Sequence, residues 1–246
     1  MACNNDRMQS ADAPMESRAP GTTPSIDDAM LVIPLYNEGT VIAEVIRKAR
    51  GVFPHVVCID DGSSDDSAQR AREAGATVLR HAVNLGQGAA LQTGIEYART
   101  VPGARYLVTF DADGQHRVED AAAMVDLARR EDVAIVFGSR FLDSRTRPGL
   151  LKRIVLRTAV WFTNQSTGLR LTDAHNGLRV IRADAARNVE LRQDRMAHAS
   201  EIVLQLGRTR LPWREYPVHV LYTEYSRAKG QSLWNSVNIL VDLVFK

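Results

Sequence analysis

Two cysteines in 246 residues, Cys3 and Cys58, are too few for a disulfide framework or a zinc ribbon. Cys58 lies inside the apolar run Val56-Val57-Cys58-Ile59 and reads as a small core residue. Aromatic residues make up only 6%, which argues against a platform for stacking bases. With 31 Lys+Arg against 29 Asp+Glu the net charge is +2, far from the basic excess of a nucleic-acid binder. No run approaches the ~20 apolar residues that a membrane span needs. Residues 1–28 hold no apolar stretch of the kind a signal peptide has. The expectation is a cytoplasmic protein with no nucleic-acid partner, the cytoplasmic face of a membrane staying open. What is there is ordinary for a globular chain: 45% hydrophobic and 24% charged residues, enough for one sizeable core.

Residues 1–28 carry a net charge of −3, three prolines and few large apolar side chains. Such a segment cannot offset its ordering entropy and is expected to be a disordered tail. From residue 30 an alternation begins. Apolar runs at 30–34, 55–59, 77–79, 106–110 and 134–137 read as strands. Segments 41–50, 65–74, 88–99 and 118–130 read as helices. Continuous apolar strands alternating with helices predict an open, mostly parallel sheet covered on both faces. The alternation fades after residue 140.

Such sheets bind ligands beyond the carboxyl ends of their strands. Those ends read Tyr36-Asn37-Glu38, Asp60-Asp61-Gly62-Ser63-Ser64-Asp65, Asp111-Ala112-Asp113-Gly114-Gln115 and Gly138-Ser139-Arg140. Four polar, mostly acidic strand ends predict one crevice. Asp111 and Asp113 offer hard oxygen donors suited to Mg²⁺ or Mn²⁺ held jointly with phosphates, and Gln115 adds a neutral oxygen. Taken alone the pair is a weak signal and more readily a polar turn or a cap for the next helix; its place after an apolar strand, among other acidic strand ends, makes the metal reading much stronger. Ser64 or Asp65 can cap the helix that follows. That leaves Asp60 and Asp61 wanting a partner such as a base or ribose hydroxyl. Asn84-Leu85-Gly86-Gln87-Gly88-Ala89-Ala90 puts small residues at a helix start, where a phosphate or a neighbouring backbone can approach closely.

Taken together, Val32-Ile33-Pro34-Leu35-Tyr36-Asn37-Glu38, Ile59 to Asp65, Asn84-x-Gly86-x-Gly88 and Asp111 to Gln115 resemble the family 2 glycosyltransferases. The resemblance implies a GT-A fold, a Rossmann-like three-layer α/β sandwich with a mostly parallel central sheet. It runs from about residue 30 to residue 233 and is strongest to the dolichol- and polyprenol-phosphate sugar transferases. Asp173-Ala174-His175-Asn176-Gly177-Leu178-Arg179, Glu201 at the opening of a late helix, and the basic loop Ser226 to Ser232 support that. The implied domains are the tail at 1–28, a glycosyltransferase domain at 29–231 and an amphipathic C-terminal segment at 232–246.

Residue by residue, the resemblance implies that Pro34, Tyr36, Asn37, Glu38, Ile59 and Asp61 line the base and ribose pocket. Gly88 and Ala112 join the nucleotide-sugar site. Asp111, Asp113 and Gln115 surround Mg²⁺ or Mn²⁺, with Asp111 also beside the nucleotide. Arg140 faces the donor sugar or the phosphates, and Arg227 and Lys229 clamp the diphosphate. A further Lys that some relatives carry is Leu233 here. The implied reaction is inverting transfer from a nucleotide diphosphate sugar to a lipid-phosphate or saccharide acceptor, as in cell-envelope glycan synthesis. A hydroxyl acceptor needs a general base, for which Asp173 and Glu201 are the candidates. A polyprenyl phosphate arrives largely ionised, since the second phosphate pKa is about 6.

Residues 144–172 carry six Lys and Arg and no acidic residue, interleaved with Leu, Ile, Val, Trp and Phe. Such a segment suits an anionic membrane surface, although a core-packed helix with a solvated basic face is the commoner case. Residues 232–245 offer a second apolar patch, suited to a membrane-protein partner or a second copy of the chain. Two rivals remain. A nucleotidyltransferase would want a basic, glycine-rich early loop, and residues 34–40 have no Lys or Arg. A nucleotide-sugar scaffold or sensor would bind donor without turnover.

Overall fold

The structure, a computed structural model, describes residues 25–142, 164–165, 167–194 and 197–221. The expected tail, apart from residues 25–28, lies outside the described residues. So do Arg227, Lys229, most of the basic segment and residues 232–246.

The five apolar runs form β1 (Ala29–Leu35), β2 (His55–Asp60), β3 (Thr77–Arg80), β4 (Tyr106–Thr109) and β5 (Ile135–Ser139). Between them lie α1 (Ile42–Arg50), α2 (Ser67–Glu73), α3 (Gln87–Thr100) and α4 (Val118–Arg130). Beyond residue 140 come β6 (Arg179–Arg182), α5 (Ala183–Ala186), α6 (His198–Arg208) and β7 (Trp213–Pro217). The strands make one seven-stranded sheet in the order β3-β2-β1-β4-β6-β5-β7. β6 is antiparallel to β4 and β5, and every other pairing is parallel. The expected mostly parallel α/β sandwich is therefore present, with one reversed strand.

Alternate strand residues feed two cores. Leu31, Ile33, Cys58, Val108 and Val136 pack with Ile46 of α1 and Met124 of α4. Val32, Ile59, Leu107, Ile135 and Ile181 pack with Leu91 and Ile95 of α3 and with Ile202 and Leu206 of α6. Each such fully buried side chain contributes about 1.5–3 kcal/mol of transfer free energy. α1 shows how the sequence directs this: Ile42, Val45, Ile46 and Ala49 are buried at helical spacing. On the other face Gly94 brings α3 close to the sheet. A Cβ there would stand 2.2 Å from a Val32 methyl and 2.7 Å from Ile59 Cδ1.

The sheet also dictates where a ligand goes. β1 lies between β2 and β4, so the chain reverses its direction of travel across the sheet there, the usual place for a crevice. Register with β4 runs only from Ala29↔Tyr106 to Val32↔Thr109, whereas register with β2 continues to Leu35↔Asp60. Pro34, which has no N–H to donate, sits just past the point where β4 leaves. Residues 34–38 and 111–115 follow the point where this pairing ends.

Candidate functional site

One wall of the crevice consists of the loops after β1, β2 and β3, tied to one another. Asn37 takes the left-handed conformation (φ +53°) and donates its N–H to Ser63 Oγ at 2.9 Å. Its side-chain oxygen accepts Ser64 N–H at 2.9 Å. Glu38 N–H donates to Ser67 Oγ at 2.8 Å and Gly39 N–H to Asp65 Oδ2 at 3.0 Å. Asp65 also accepts the N–H and hydroxyl of Ser67. The helix cap expected of Ser64 or Asp65 is displaced: the cap position is Asp66, with no side-chain cap bond, and Asp65 instead ties two loops together.

Asp61 is buried, and its carboxylate is already engaged. It accepts Leu85 N–H at 2.9 Å and Gly86 N–H at 2.7 Å, and lies 2.7 Å from His81 Nδ1. His81 Nε2 in turn meets Thr93 Oγ1 at 3.0 Å. Asp60 pairs with Arg80 at 3.0 Å. The partners expected from a base or ribose hydroxyl are thus supplied by Arg80 at the end of β3 and by the loop that follows it. Tyr36 is exposed at the rim, Pro34 and Asn37 are half-buried, and Glu38 is buried. Ile59 is fully buried beneath α3 and presents no side-chain surface to the crevice. Gly88 opens α3, and what approaches it closely is backbone: a Cβ there would lie 1.9 Å from the Gln193 carbonyl oxygen.

The other wall begins at Asp111. β4 ends at Thr109, so Asp111 and Asp113 stand in the following loop rather than along a strand face. Asp111 Oδ2 lies 2.8 Å from His116 Nε2, and the Asp111 side chain remains one-third exposed. Burial disfavours its charge, but His116, Arg179 and His198 outweigh that and hold its pKa below the usual carboxylate range. Asp113 is shifted the other way, upward, first by burial and then by the charge of Asp111. Its Oδ1 accepts Gln115 N–H at 3.0 Å, and Ala112 is buried between the two acids.

Two carboxylates whose charges oppose each other in a part-buried crevice are a donor set that a divalent cation would neutralise. Among the described residues no group of three or more His, Cys, Asp or Glu gathers as a metal cage. Mg²⁺ typically takes one or two carboxylates and fills its remaining positions with phosphate oxygens and water, and carboxylate and water ligands suit Mn²⁺ as well.

The segment before β6 closes the floor. Gly177 lets it pass under Asp111, since a Cβ there would stand 2.5 Å from Asp111 Oδ2. Thr109 hydroxyl donates to the Gly177 carbonyl at 2.5 Å. Asp173 is buried and forms a two-pronged pair with Arg140: Nε to Oδ2 at 2.6 Å and Nη2 to Oδ1 at 2.9 Å. Burial raises its pKa, but Arg140 more than compensates and the net shift is downward. Asp173 N–H and Thr172 N–H both donate to Glu215 of β7. Glu201, in the first turn of α6, accepts the N–H groups of Arg192 and Gln193 at 3.0 and 2.9 Å. It thereby holds the irregular stretch that lies against Gly86 and Gly88.

The structure thus brings Pro34, Tyr36, Asn37, Glu38, Asp61, Asp111, Ala112, Asp113, Gln115, Arg140 and Asp173 to one edge of the sheet. Glu201 and Gly88 support a neighbouring loop. Three site residues escaped the sequence reading: His81, His116 and Arg179. Arg179 is buried with Nη2 lacking a hydrogen-bond partner, and burial lowers its pKa to about 10 against the pull of Asp111 and Asp173. His116 directly follows the acidic motif and Arg179 closes the Asp173–Arg179 segment, so both had a signal in motif position. His81 had none.

The chain is similar to known proteins in sequence and in fold. An uncharacterised protein of Methanocaldococcus jannaschii is 33% identical over 226 residues, 89% of this chain and 92% of that protein. The UDP-N-acetylglucosamine–dolichyl-phosphate N-acetylglucosaminyltransferase of Methanococcus voltae is 28% identical over 236 residues, 87% of this chain and 94% of that enzyme. In fold, the chain matches crystal structures of glucosyl-3-phosphoglycerate synthase from Mycobacterium tuberculosis. One, with phosphoglyceric acid, has a TM-score of 0.66 at 16% identity, over 89% of this chain and 79% of that one. Another, with Mn²⁺, uridine-diphosphate-glucose and phosphoglyceric acid, has a TM-score of 0.64 at 18% identity over the same shares. The fold is therefore that of the GT-A glycosyltransferases. The family model for glycosyl transferase family 2 matches residues 30–189, and the chain belongs to that family.

Proposed function

We propose that this glycosyltransferase moves a sugar, with inversion, from a nucleotide diphosphate sugar to a polyprenyl phosphate or similar membrane-associated lipid. The observation that carries the reading is the Asp111–Asp113 pair at the β1/β4 crevice, each carboxyl pushed away from its ordinary pKa. Asp111, Asp113 and Gln115 would hold Mg²⁺ or Mn²⁺. When bound, the ion supplies positive charge for the departing diphosphate. The loops around Tyr36, Asn37, Glu38 and Asp61 seat base and ribose. Arg140 adds a fixed cation on the sugar side, and Arg227 and Lys229 are assigned to the diphosphate.

The state of the two candidate bases supports a phosphate acceptor. Asp173 is committed to Arg140, and Glu201 to the N–H groups of Arg192 and Gln193. Neither is poised to take a proton from a hydroxyl. A phosphate monoester needs no such help, because it is largely ionised near neutral pH. The lipid phosphate in the name of the Methanococcus voltae relative points the same way. Peripheral contact with the cytoplasmic face of a membrane, direct or through a membrane protein, belongs to this reading; no helix among the described residues is long and apolar enough to cross one.

Thermal melting with UDP- and GDP-sugars, each with and without Mn²⁺, tests the donor site, because a ligand that binds only the native state raises Tm by mass action. The expected result is a metal-dependent rise with one nucleotide, absent in Asp113→Ala. Incubation of that donor with a polyprenyl phosphate should then release nucleoside diphosphate and form a glycolipid. Binding without release would make the protein a sensor or scaffold instead.

A further inference from the structure

We propose that His116 is a positioning residue for the divalent cation: its Nε2–H fixes Asp111 Oδ2, so that the other carboxylate oxygen faces the metal. The inference rests on the reading above that Asp111 and Asp113 hold that ion.

Three observations carry it. His116 Nε2 stands 2.8 Å from Asp111 Oδ2, and the His116 side chain is only 5% exposed. A carboxylate at neutral pH only accepts hydrogen bonds, so the hydrogen of this contact belongs to the imidazole. The second ring nitrogen, Nδ1, is buried without a hydrogen-bond partner. The ring is held by packing instead: it meets Phe110 edge-on at 5.5 Å and 65°. A buried polar atom left unpaired works against folding and asks for an explanation elsewhere. Among the described residues Asp111 is the hydrogen-bond partner of this imidazole, so the worth of the ring lies in holding Asp111.

Asp111 is confined by main chain as well. The Gly177 backbone is so close that a Cβ there would stand 2.5 Å from Oδ2 and 2.8 Å from Oδ1. With Oδ2 tied to His116 and Gly177 against the carboxylate, its rotation is restricted before any metal arrives. Groups that orient metal-binding side chains in this way typically change metal affinity 10–100-fold when replaced.

The test is Mn²⁺ binding to the full chain, followed by the loss of the free-ion electron paramagnetic resonance signal, with UDP and separately with GDP present. Four variants are compared: His116→Leu, His116→Asn, His116→Gln and Asp113→Asn. A glutamine amide nitrogen reaches the place of Nε2, whereas an asparagine amide nitrogen falls near Nδ1. His116→Leu and His116→Asn should bind Mn²⁺ about 10–100-fold more weakly, with His116→Gln recovering most of the loss. Melting without metal reports whether each variant folds. If His116→Leu is unfolded, the contrast between Gln and Asn decides, and equal Mn²⁺ affinity in those two overturns the role. If Asp113→Asn loses Mn²⁺ while His116→Leu binds as tightly as wild type, the positioning role fails and the metal site stands. If the wild type takes up no Mn²⁺ with either nucleotide, the metal site and this inference fall together.

Discussion

The two walls of the crevice are ordered by different forces. On the side of β1, β2 and β3, loops are tied by backbone N–H groups donating to Ser, Asn and Asp side chains. On the side of β4, β5 and β6, order comes from charge: Arg140 with Asp173, Arg179 near Asp111 and Asp173, and His116 on Asp111. A wall of short, directional bonds presents a fixed shape, suited to a rigid base and ribose. A wall of paired charges sets a potential instead, suited to ligands that bring phosphate and metal charge. In the first wall an altered side chain should shift loops. In the second it should shift charge.

The largest effect should fall on the charged wall. Asp113→Asn is expected to lower kcat by about 10²–10³-fold, the scale of losing one charge-stabilising group in a transfer site. Its ligand-free stability should not fall. The Asp113 pKa is raised in the folded state, so its ionised form opposes folding at neutral pH, and the amide removes that opposition. Steady-state rates together with melting of the apoprotein check both halves. A large loss of Tm would mean that Asp113 is a structural acid.

Asp173 should behave in the opposite way. Its pKa is lowered on folding, so its contribution is complete above the ordinary carboxylate range near 3.9 and is lost as pH falls through the folded value. Asp173→Ala removes the two-pronged partner of Arg140, a quarter exposed, and should cost about 2–4 kcal/mol, somewhat less than breaking a fully buried pair. Denaturant melts at neutral pH and near pH 3 test this. The difference between wild type and Asp173→Ala should shrink at the acid end. With a polyprenyl phosphate acceptor, the wild-type rate should follow ionisation of the acceptor near pH 6 rather than a protein carboxylate.

The two walls also differ in how far the sequence discloses them. Most of the first five strands and four helices are legible because they bury a continuous apolar run or a clean helical stripe, such as Ile42, Val45, Ile46 and Ala49. β6 is not: it has four residues, Arg179-Val180-Ile181-Arg182, buried on both faces, too few to show a period. Its reversed direction depends on pairing between β4 and β5, which no local pattern encodes. At the site, the acidic motif stands out because two carboxylates beside an apolar strand need a reason to be there. The occupancy of Asp61 does not, since its partners are the His81 ring and two main-chain N–H groups, 20 to 25 residues away. Glu201 is similar: its type and helix position suggest chemistry, whereas its contacts make it a clamp for residues 192–193.

The smallest effect sharpens the contrast where the walls meet. Gly88 N–H donates to the Asp194 carbonyl at 2.9 Å, and a Cβ at Gly88 would lie 1.9 Å from the Gln193 carbonyl oxygen. Main chain cannot swing aside as a side-chain tip can, so Gly88→Ala must push residues 193–194 away. Overpacking of this kind costs about 1–3 kcal/mol. The displaced stretch also touches Gly86, whose N–H is held by Asp61 on the nucleotide wall. Gly88→Ala should therefore raise the KM for the donor more than it lowers kcat, because it moves shape and leaves the charges of Asp111 and Asp113 in place. A drop in kcat at unchanged KM would mean that this stretch serves the charged wall, and the division between shape and charge would have to be redrawn.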